Sequence, residues 1–287
     1  MRGAGSAPTE RVLDVIELLS HPENRTMRFS DVVRDLDLSQ ATAHAILKTL
    51  ADRGWVSRDP VDKTFSLGPA LALIASRLDS ARPLAKLAHE AARRLATMID
   101  LPASVVERTG NDLVITAFEQ PKGGALPSPP NERIPYTAPF GVAFAAWDTP
   151  DAQHAWIHRA ATDDTELTRQ LHDVLAQTRE RGYDIDWMTP ALAQAAHTIG
   201  SLSGHALPVN MRSIIDQLRV EFTSAALTSD DDPRAPQPVA TISAPVLDQG
   251  GRIQLVLGVH PVRQMTARDV ARTVKPLLDE VARLSTT

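Results

Sequence analysis

Cysteine, long hydrophobic runs and an excess of cations are all missing from this sequence. None of its 287 residues is cysteine, which excludes disulfides, cysteine-ligated zinc, iron–sulfur clusters and thiol nucleophiles. No apolar run approaches the roughly 18 residues of a membrane span, and no apolar segment follows Arg2. These absences predict a cytoplasmic protein that does not contact a membrane.

Sequence signals for catalysis are scarce as well. The chain contains neither Gly-x-x-x-x-Gly-Lys nor Gly-x-Gly-x-x-Gly, the patterns of phosphate-binding loops. The segment Gly200–Gly204 has Leu202 where a hydrolase elbow needs serine. His154 and His158 are four residues apart without a third ligand, which favours an exposed helix surface over a metal site. We therefore expect no enzymatic activity, no metal and no cofactor.

The charge balance argues against a protein that coats nucleic acid. The formal net charge is −5, and residues 1–80 hold ten Lys and Arg against eleven Asp and Glu. Non-specific binding to DNA draws on a surplus of cations. Any contact with DNA must therefore be local.

Four helices and a hairpin are predicted within residues 1–80. Thr9 can cap a first helix that stops at His21-Pro22, and a short helix over 31–36 follows Ser30. After a tight turn, Ser39 caps a helix over 40–53 that Gly54 ends. Strand-like runs at 55–58 and 64–67 and a linker helix over 69–80 complete the segment. This order is typical of a winged helix-turn-helix that binds DNA.

The remainder, residues 81–287, is predicted to be an α+β domain of the sensor type, with a hairpin at either end of its sheet. Residues 189–238 are interpreted as an insertion, in which an acidic, proline-rich end is expected to be mobile. The other predicted elements are helices over 84–98, 151–159, 165–181 and 266–283, strands over 103–109, 112–119, 183–187, 239–247 and 252–259, a loop over 120–132, and a strand that runs into a helix over 135–147.

The helix over 40–53 is the predicted recognition helix. Ala43, Ile46, Leu47 and Leu50 form its inward stripe, which leaves a polar face free to contact DNA. Glutamine pairs well with adenine, whereas flexible cations position a protein on phosphates. The predicted DNA-binding residues are Ser39, Gln40, Thr42, His44, Lys48, Arg58 and Lys63.

Four segments of the chain resemble the IclR family of transcriptional regulators. They are residues 38–56, 65–71, 181–186 and 242–252, the last reading ISAPVLDQGGR. The resemblance implies an N-terminal winged helix, a linker helix and a C-terminal GAF-like effector-binding domain. It also implies a homodimer or a dimer of dimers that binds double-stranded DNA at a near-palindromic operator.

The sequence departs from the family at three places. Ala45 stands where the recognition helix often carries arginine, so base reading must come from its neighbours. The stretch over 136–143 is one residue shorter than usual, which changes the mouth of the effector pocket. Leu257 and Val259 stand where small polar residues often face that pocket, which predicts a more apolar effector.

The predicted effector site combines a helix start with strand residues. A helix after Pro139 would offer free N–H groups to a polar ligand head, which points to Phe140, Gly141 and Val142. Asp186, Thr241 and Ser243 could add polar contacts, and Thr241 stands where family members often have a pocket cysteine. Leu257 and Val259 complete the predicted set.

These features together predict a ligand-responsive, sequence-specific DNA-binding regulator that acts as a repressor. One alternative is a DNA-binding oligomer that has lost its effector. The other is an enzyme that uses the winged domain as a partner module, although no catalytic motif supports it.

Overall fold

The computed structural model describes residues 6–21, 24–123, 133–160, 165–187 and 235–285. The chain divides into two compact units, Met1–Pro83 and Leu84–Thr287. The predicted insertion lies outside the described residues except for its last four positions. Two of these, Gln237 and Pro238, belong to a strand, which corrects the expectation that the whole proline-rich end is mobile.

The first unit is a winged helix-turn-helix, as the sequence predicts. Its strands form one small sheet in the order β1-β3-β2. Strand β1 was not predicted, because two residues are too few to show an alternating pattern. The elements are α1 (Ala7–Ser20), β1 (Met27–Arg28), α2 (Phe29–Asp35), α3 (Gln40–Asp52), β2 (Val56–Arg58), β3 (Thr64–Leu67) and α4 (Pro69–Ala81).

Of the first three predicted helix starts in this unit, two are wrong. Helix α1 begins at Ala7, so Thr9 lies inside it. Proline is favourable at position 8, because a backbone N–H in the first turn has no partner within the helix and its absence costs nothing. Helix α2 begins at Phe29, so Ser30 lies inside it and does not precede it. The carboxylate of Asp31 accepts a hydrogen bond from the backbone N–H of Arg28, the residue just before the helix, at 3.2 Å. The third start is confirmed, since the Ser39 hydroxyl accepts a hydrogen bond from the Thr42 N–H at 3.1 Å.

The second unit is a curled six-stranded antiparallel sheet with helices on both faces. The strand order is β6-β5-β4-β10-β9-β7, and β8 and β11 pair separately. Its elements are α5 (Pro83–Ile99), β4 (Ala103–Thr109), β5 (Asp112–Glu119), β6 (Arg133–Pro135), α6 (Val142–Ala145), α7 (Pro150–His158), α8 (Thr165–Arg181), β7 (Asp184–Asp186), β8 (Gln237–Val239), β9 (Thr241–Leu247), β10 (Ile253–Val259), β11 (Arg263–Met265) and α9 (Ala267–Ser285).

The two predicted hairpins, β4–β5 and β9–β10, lie side by side in the middle of this sheet. Strands β4 and β10 pair directly, while β6 and β7 form the edges. The expectation of a hairpin at either end of the sheet is therefore wrong. Pairing between strands 150 residues apart leaves no local signal in a sequence.

The two faces of the sheet have different partners. Helices α5 and α9 cover one face, where Val105, Ala244 and Leu257 join an aliphatic core. On the other face, Val256 packs in a second core with residues of α6, α7 and α8, among them the buried Trp156. Which side chains can meet a ligand depends on this division.

A buried ion pair joins α5 to α9. Glu280 is only 1% exposed, and its carboxylate accepts hydrogen bonds from Arg94 at 2.7 Å and from Arg283 at 2.6 Å. We expect Arg94→Met to lower the free energy of unfolding of this unit by about 2 kcal/mol, because it leaves a buried carboxylate with one donor fewer. Urea denaturation followed by circular dichroism measures the change.

The neighbouring arginine provides the matched control. Arg93 pairs with Glu119 at 3.3 Å on the surface, so Arg93→Met should cost less than about 1 kcal/mol. Equal losses in the two variants would contradict a special role for the buried pair.

Candidate nucleic-acid interface and ligand site

Helix α3 presents one exposed face in the winged unit. Its inward stripe is buried as predicted, with Ala43, Ile46, Leu47 and Leu50 in the core. The exposed positions on the opposite side are Gln40, Ala41, His44, Ala45, Lys48 and Thr49. A helix with this exposure can lie in the major groove of DNA.

Ser39 and Thr42, two of the predicted DNA-binding residues, stabilise the first turn of α3. The hydroxyl of Ser39 accepts a hydrogen bond from the Thr42 N–H and lies 2.8 Å from the Thr42 hydroxyl. Both hydroxyls are thus engaged with each other in the structure. Their first effect is to fix where α3 begins, and so where Gln40 and His44 lie.

Two of the three predicted cations, Lys48 and Arg58, have local partners in this unit. Lys48 forms an ion pair with Asp52 at 2.6 Å, one turn along α3. The guanidinium of Arg58 lies 5.8 Å from the ring centre of Phe65. Lys63 adopts a left-handed backbone conformation at the end of the hairpin turn, with φ of 58°. The Asp52 carboxylate competes with a phosphate for the Lys48 ammonium group.

The exposed face also includes two alanines that the predicted DNA-binding set leaves out. Ala41 and Ala45 lie one turn apart between Gln40, His44 and Lys48, and both are exposed. Methyl groups at such positions can contact the methyl group of thymine. The signal was present as two alanines on a polar face, but alanine is also the commonest helix filler.

In the second unit, five cross-strand neighbours form a row on the face opposite α5 and α9. Directly paired residues of adjacent antiparallel strands share a face, and the register connects Phe118, Ser104, Gly258, Ser243 and Asp184. Thr241 pairs with Asp186 two positions further on the same face. The predicted residues Asp186, Thr241 and Ser243 thus lie together.

Leu257 and Val259 do not lie on this face. Both are fully buried in the core beneath α5 and α9. The residues that alternate with them, Gly258 and His260, lie on the face with Thr241. A shift of one residue moves every side chain of a strand to the other face, so the predicted apolar lining at 257 and 259 is wrong.

His260 is the residue that the sequence analysis missed at this site. Its Nδ1 lies 3.2 Å from the Thr241 hydroxyl and its Nε2 lies 2.9 Å from the Ser104 hydroxyl. Burial without a carboxylate partner lowers the pKa of His260 to about 4, so the ring is neutral near pH 7. Its only signal in the sequence was its place just after a strand.

Asp184, on β7, is the last residue of the row. Burial raises the pKa of its carboxyl group to about 6, although Arg181 and the Thr178 hydroxyl, each 3.4 Å away, favour the ionised form. The face therefore combines hydroxyl groups, a neutral imidazole and carboxylates.

Phe140 and Gly141 lie in a tight turn, and the helix that begins at Val142 is short. Helix α6 has only four residues, so it lacks the dipole that the prediction invoked. Gly141 adopts φ of 80°, and a Cβ atom there would lie 2.9 Å from Leu113 and Tyr136. Val142 is buried in the core, and the carbonyl of Phe140 accepts a hydrogen bond from the Trp156 indole at 3.0 Å.

The part of the chain that the structure describes holds no cluster of metal ligands and no membrane-spanning helix. No three His, Asp or Glu side chains there converge as ligands for a metal ion. His154 and His158 stack edge to face, with their ring centres 6.2 Å apart. None of the helices in these segments has the length and apolar character needed to cross a bilayer.

Comparison with known proteins agrees with both units. Residues 8–60 match the IclR helix-turn-helix domain family. The regulator BhcR of Paracoccus denitrificans is 26% identical over 211 residues, which cover 70% of this chain and 75% of that protein. An IclR transcriptional regulator from Alicyclobacillus acidocaldarius has the same fold, with a TM-score of 0.67 at 19% identity over 99% of both chains. An IclR homologue from Microbacterium hydrocarbonoxydans, crystallised with 4-hydroxybenzoate, has a TM-score of 0.63 at 16% identity over 98% of both chains.

A winged helix with an exposed recognition helix, followed by a curled-sheet unit, defines a DNA-binding transcriptional regulator. Residues 8–60 carry a helix-turn-helix domain of the IclR type, and the chain has the fold of an IclR regulator over 99% of its length.

Proposed function

We propose that this protein is a ligand-responsive repressor that reads its operator with Gln40 and His44 and is not an enzyme. The observation that carries the proposal is the exposed face of α3, which Ser39 fixes at its first turn. Lys48, Arg58 and Lys63 contribute phosphate contacts. Because residues 1–80 carry no excess of cations, specific binding depends on base contacts more than on the phosphates.

The second unit supplies the response to a small molecule. Support comes from the polar row on the sheet and from the Microbacterium relative, which was crystallised with 4-hydroxybenzoate. A ligand can change DNA affinity only if it binds two conformations of the protein with different affinity. The effector therefore binds more tightly to the conformation that fits the operator poorly.

The protein acts as a homodimer, or as a dimer of such dimers. Leu73 is 68% exposed and Ile74 is 46% exposed on α4, and Leu13 is exposed on α1. A second copy of the chain is the occupant that suits a near-palindromic operator, because dimer symmetry matches two half-sites. Exposed leucine and isoleucine side chains gain stability when such a partner covers them.

The dimer proposal predicts the effect of charge on α4. The double variant Leu73→Lys/Ile74→Lys should weaken self-association at least tenfold, because it places four cations in a two-copy contact. Sedimentation equilibrium measures the dissociation constant. The control is Val61→Lys in the exposed hairpin turn, which should leave the dissociation constant unchanged. An unaltered association constant in the α4 variant would contradict the proposed contact.

Selection of binding sites from a random duplex pool tests the function directly. The full-length protein should enrich one motif with two-fold symmetry, and the motif should change when Gln40 is replaced. Selected duplexes that share no motif, or the same motif for the parent protein and the Gln40 variant, would contradict base reading by α3.

A further inference from the structure

The exposed face of α3 consists of two parallel rows in which the residues are four positions apart. The polar row is Gln40, His44 and Lys48, and the row beside it, which we call the methyl row, is Ala41, Ala45 and Thr49. Residues four apart on a helix lie one above the other, about 6 Å apart along its axis. The face therefore offers apolar as well as polar groups to DNA.

The two alanines of the methyl row lie opposite the buried side of α3. Successive residues of a helix are rotated by about 100°. Ala41 then lies within about 10°, and Ala45 within about 30°, of the direction opposite the mean of the four core residues. Gln40 lies about 110° from that direction, at the flank of the face. The positions that face outward most directly therefore carry methyl groups.

Thr49 adds a third methyl group to this row. Its hydroxyl donates a hydrogen bond to the carbonyl oxygen of Ala45 at 2.8 Å, one turn back along α3. A hydroxyl group has a single hydrogen to donate, and here it is used within the helix. Thr49 therefore has a methyl group to offer DNA but no free donor.

The charge of the winged unit favours apolar contacts with the bases. Residues 1–80 hold no surplus of cations, and the Lys48 ammonium group is paired with Asp52 at 2.6 Å. Attraction to phosphates is therefore a small source of affinity, and base edges must supply more of it. Among the four bases of DNA, only thymine carries a methyl group at its major-groove edge, and side-chain methyl groups pack against it.

We propose that the methyl row of α3 reads thymine methyl groups, so that each operator half-site contains at least two neighbouring A·T pairs. This inference rests on the proposed reading of DNA by α3, and it names the base pairs that are read. Base pairs follow one another at about 3.4 Å, so residues one helical turn apart meet pairs one or two steps apart. The longer side chain of Gln40 reaches from the flank to the adenine of one of these pairs.

Selection of binding sites from two random duplex pools provides the first test. One pool contains thymine, and the other contains deoxyuridine, which pairs in the same way but lacks the methyl group. From the first pool, the full-length protein should enrich a two-fold symmetric motif with at least two A·T pairs in each half-site. The same duplex built with deoxyuridine should bind at least tenfold more weakly, because several methyl contacts are lost together.

The outcomes of this selection separate the present inference from the proposed function. A symmetric motif without A·T pairs in its half-sites, or equal binding of the thymine and deoxyuridine duplexes, would overturn reading by the methyl row and leave sequence reading by α3 intact. The absence of a shared motif in both pools would contradict both.

Variants of Thr49 separate the effect of its methyl group from that of its hydroxyl group. Thr49→Ser keeps the hydrogen bond to Ala45 and loses the methyl group, whereas Thr49→Val keeps a methyl group and loses the hydrogen bond. At one thymine of the motif, Thr49→Ser should abolish a preference for thymine over deoxyuridine of about fourfold, the value of one buried methyl group. Thr49→Val should retain that preference. Because each preference is a ratio measured within one variant, changes in the stability of α3 cancel.

Glycine at Ala45 tests a second position of the row. Ala45→Gly should abolish the preference for thymine at a neighbouring pair, whereas Ala155→Gly on the exposed side of α7 is the matched control and should leave every preference unchanged. Preferences that survive both Thr49→Ser and Ala45→Gly, or that Thr49→Val also abolishes, would overturn the proposal.

Discussion

Replacing Gly68 with alanine is expected to unfold the winged unit. A Cβ atom at this position would lie 2.2 Å from the carbonyl oxygen of Gly54 and 2.8 Å from the carbonyl carbon of Trp55. These are backbone atoms of the turn that joins α3 to β2, and the Gly68 N–H donates a hydrogen bond to the Trp55 carbonyl at 2.7 Å. The turn cannot move away without breaking that bond. We expect a loss of at least about 3 kcal/mol, the scale of severe backbone clashes.

Hydrogen exchange of the amides in α3 measures this loss, and DNA binding should disappear with it. Gly110→Asn is the matched control, because Gly110 has φ of 63° and nothing lies within 4 Å of its Cβ position. Asparagine tolerates that conformation. If Gly68→Ala keeps the protection of α3, the close approach described for this turn is wrong.

Acid is expected to destabilise the second unit through His260. The folded-state pKa of about 4 lies below the ordinary value of 6.5, so on acidification the unfolded chain binds a proton before the folded one does. The contribution of His260 to the free energy of unfolding is fully present above pH 6.5 and is lost as the pH falls towards 4. This contribution amounts to about 3 kcal/mol.

The variant His260→Gln should remove most of this acid sensitivity. Urea denaturation at pH 7 and at pH 4.5 measures it, and His154→Gln on the exposed side of α7 is the control. The raised pKa of Asp184 acts in the opposite direction, so the difference between each variant and the parent protein isolates His260. Equal acid sensitivity in His260→Gln and the parent would contradict a buried neutral ring.

The sequence predicts the local elements of this protein well. The strands Ala103–Thr109 and Asp112–Glu119 and the helix Thr165–Arg181 occur with the predicted bounds. Each is long enough to show its period, and the first two meet at a glycine turn. The cap at Ser39 was equally predictable, because serine before an apolar helical pattern is a strong start signal.

The candidate ligand face was harder to predict, because it is assembled from strands that are distant in sequence. Thr241, Ser243 and Asp186 were predicted to contribute to it through a resemblance in two short motifs. Gly258 and His260 were missed by a single residue, since a buried strand such as LVLGV has no polar alternation to show which side chains face the helices. Only the pairing of β10 with β4 and β9 resolves this register.

Fluorescence anisotropy of the full-length protein on DNA is the most direct test of operator reading by α3. A fragment from its own upstream region is titrated in the presence of excess unrelated DNA, for the parent protein and for Gln40→Ala/His44→Ala. We expect saturable binding that resists the competitor, and we expect the double variant to bind at least tenfold more weakly, because two base contacts are removed. Binding that is competed equally by unrelated DNA, or that the double variant retains, would contradict sequence reading by α3.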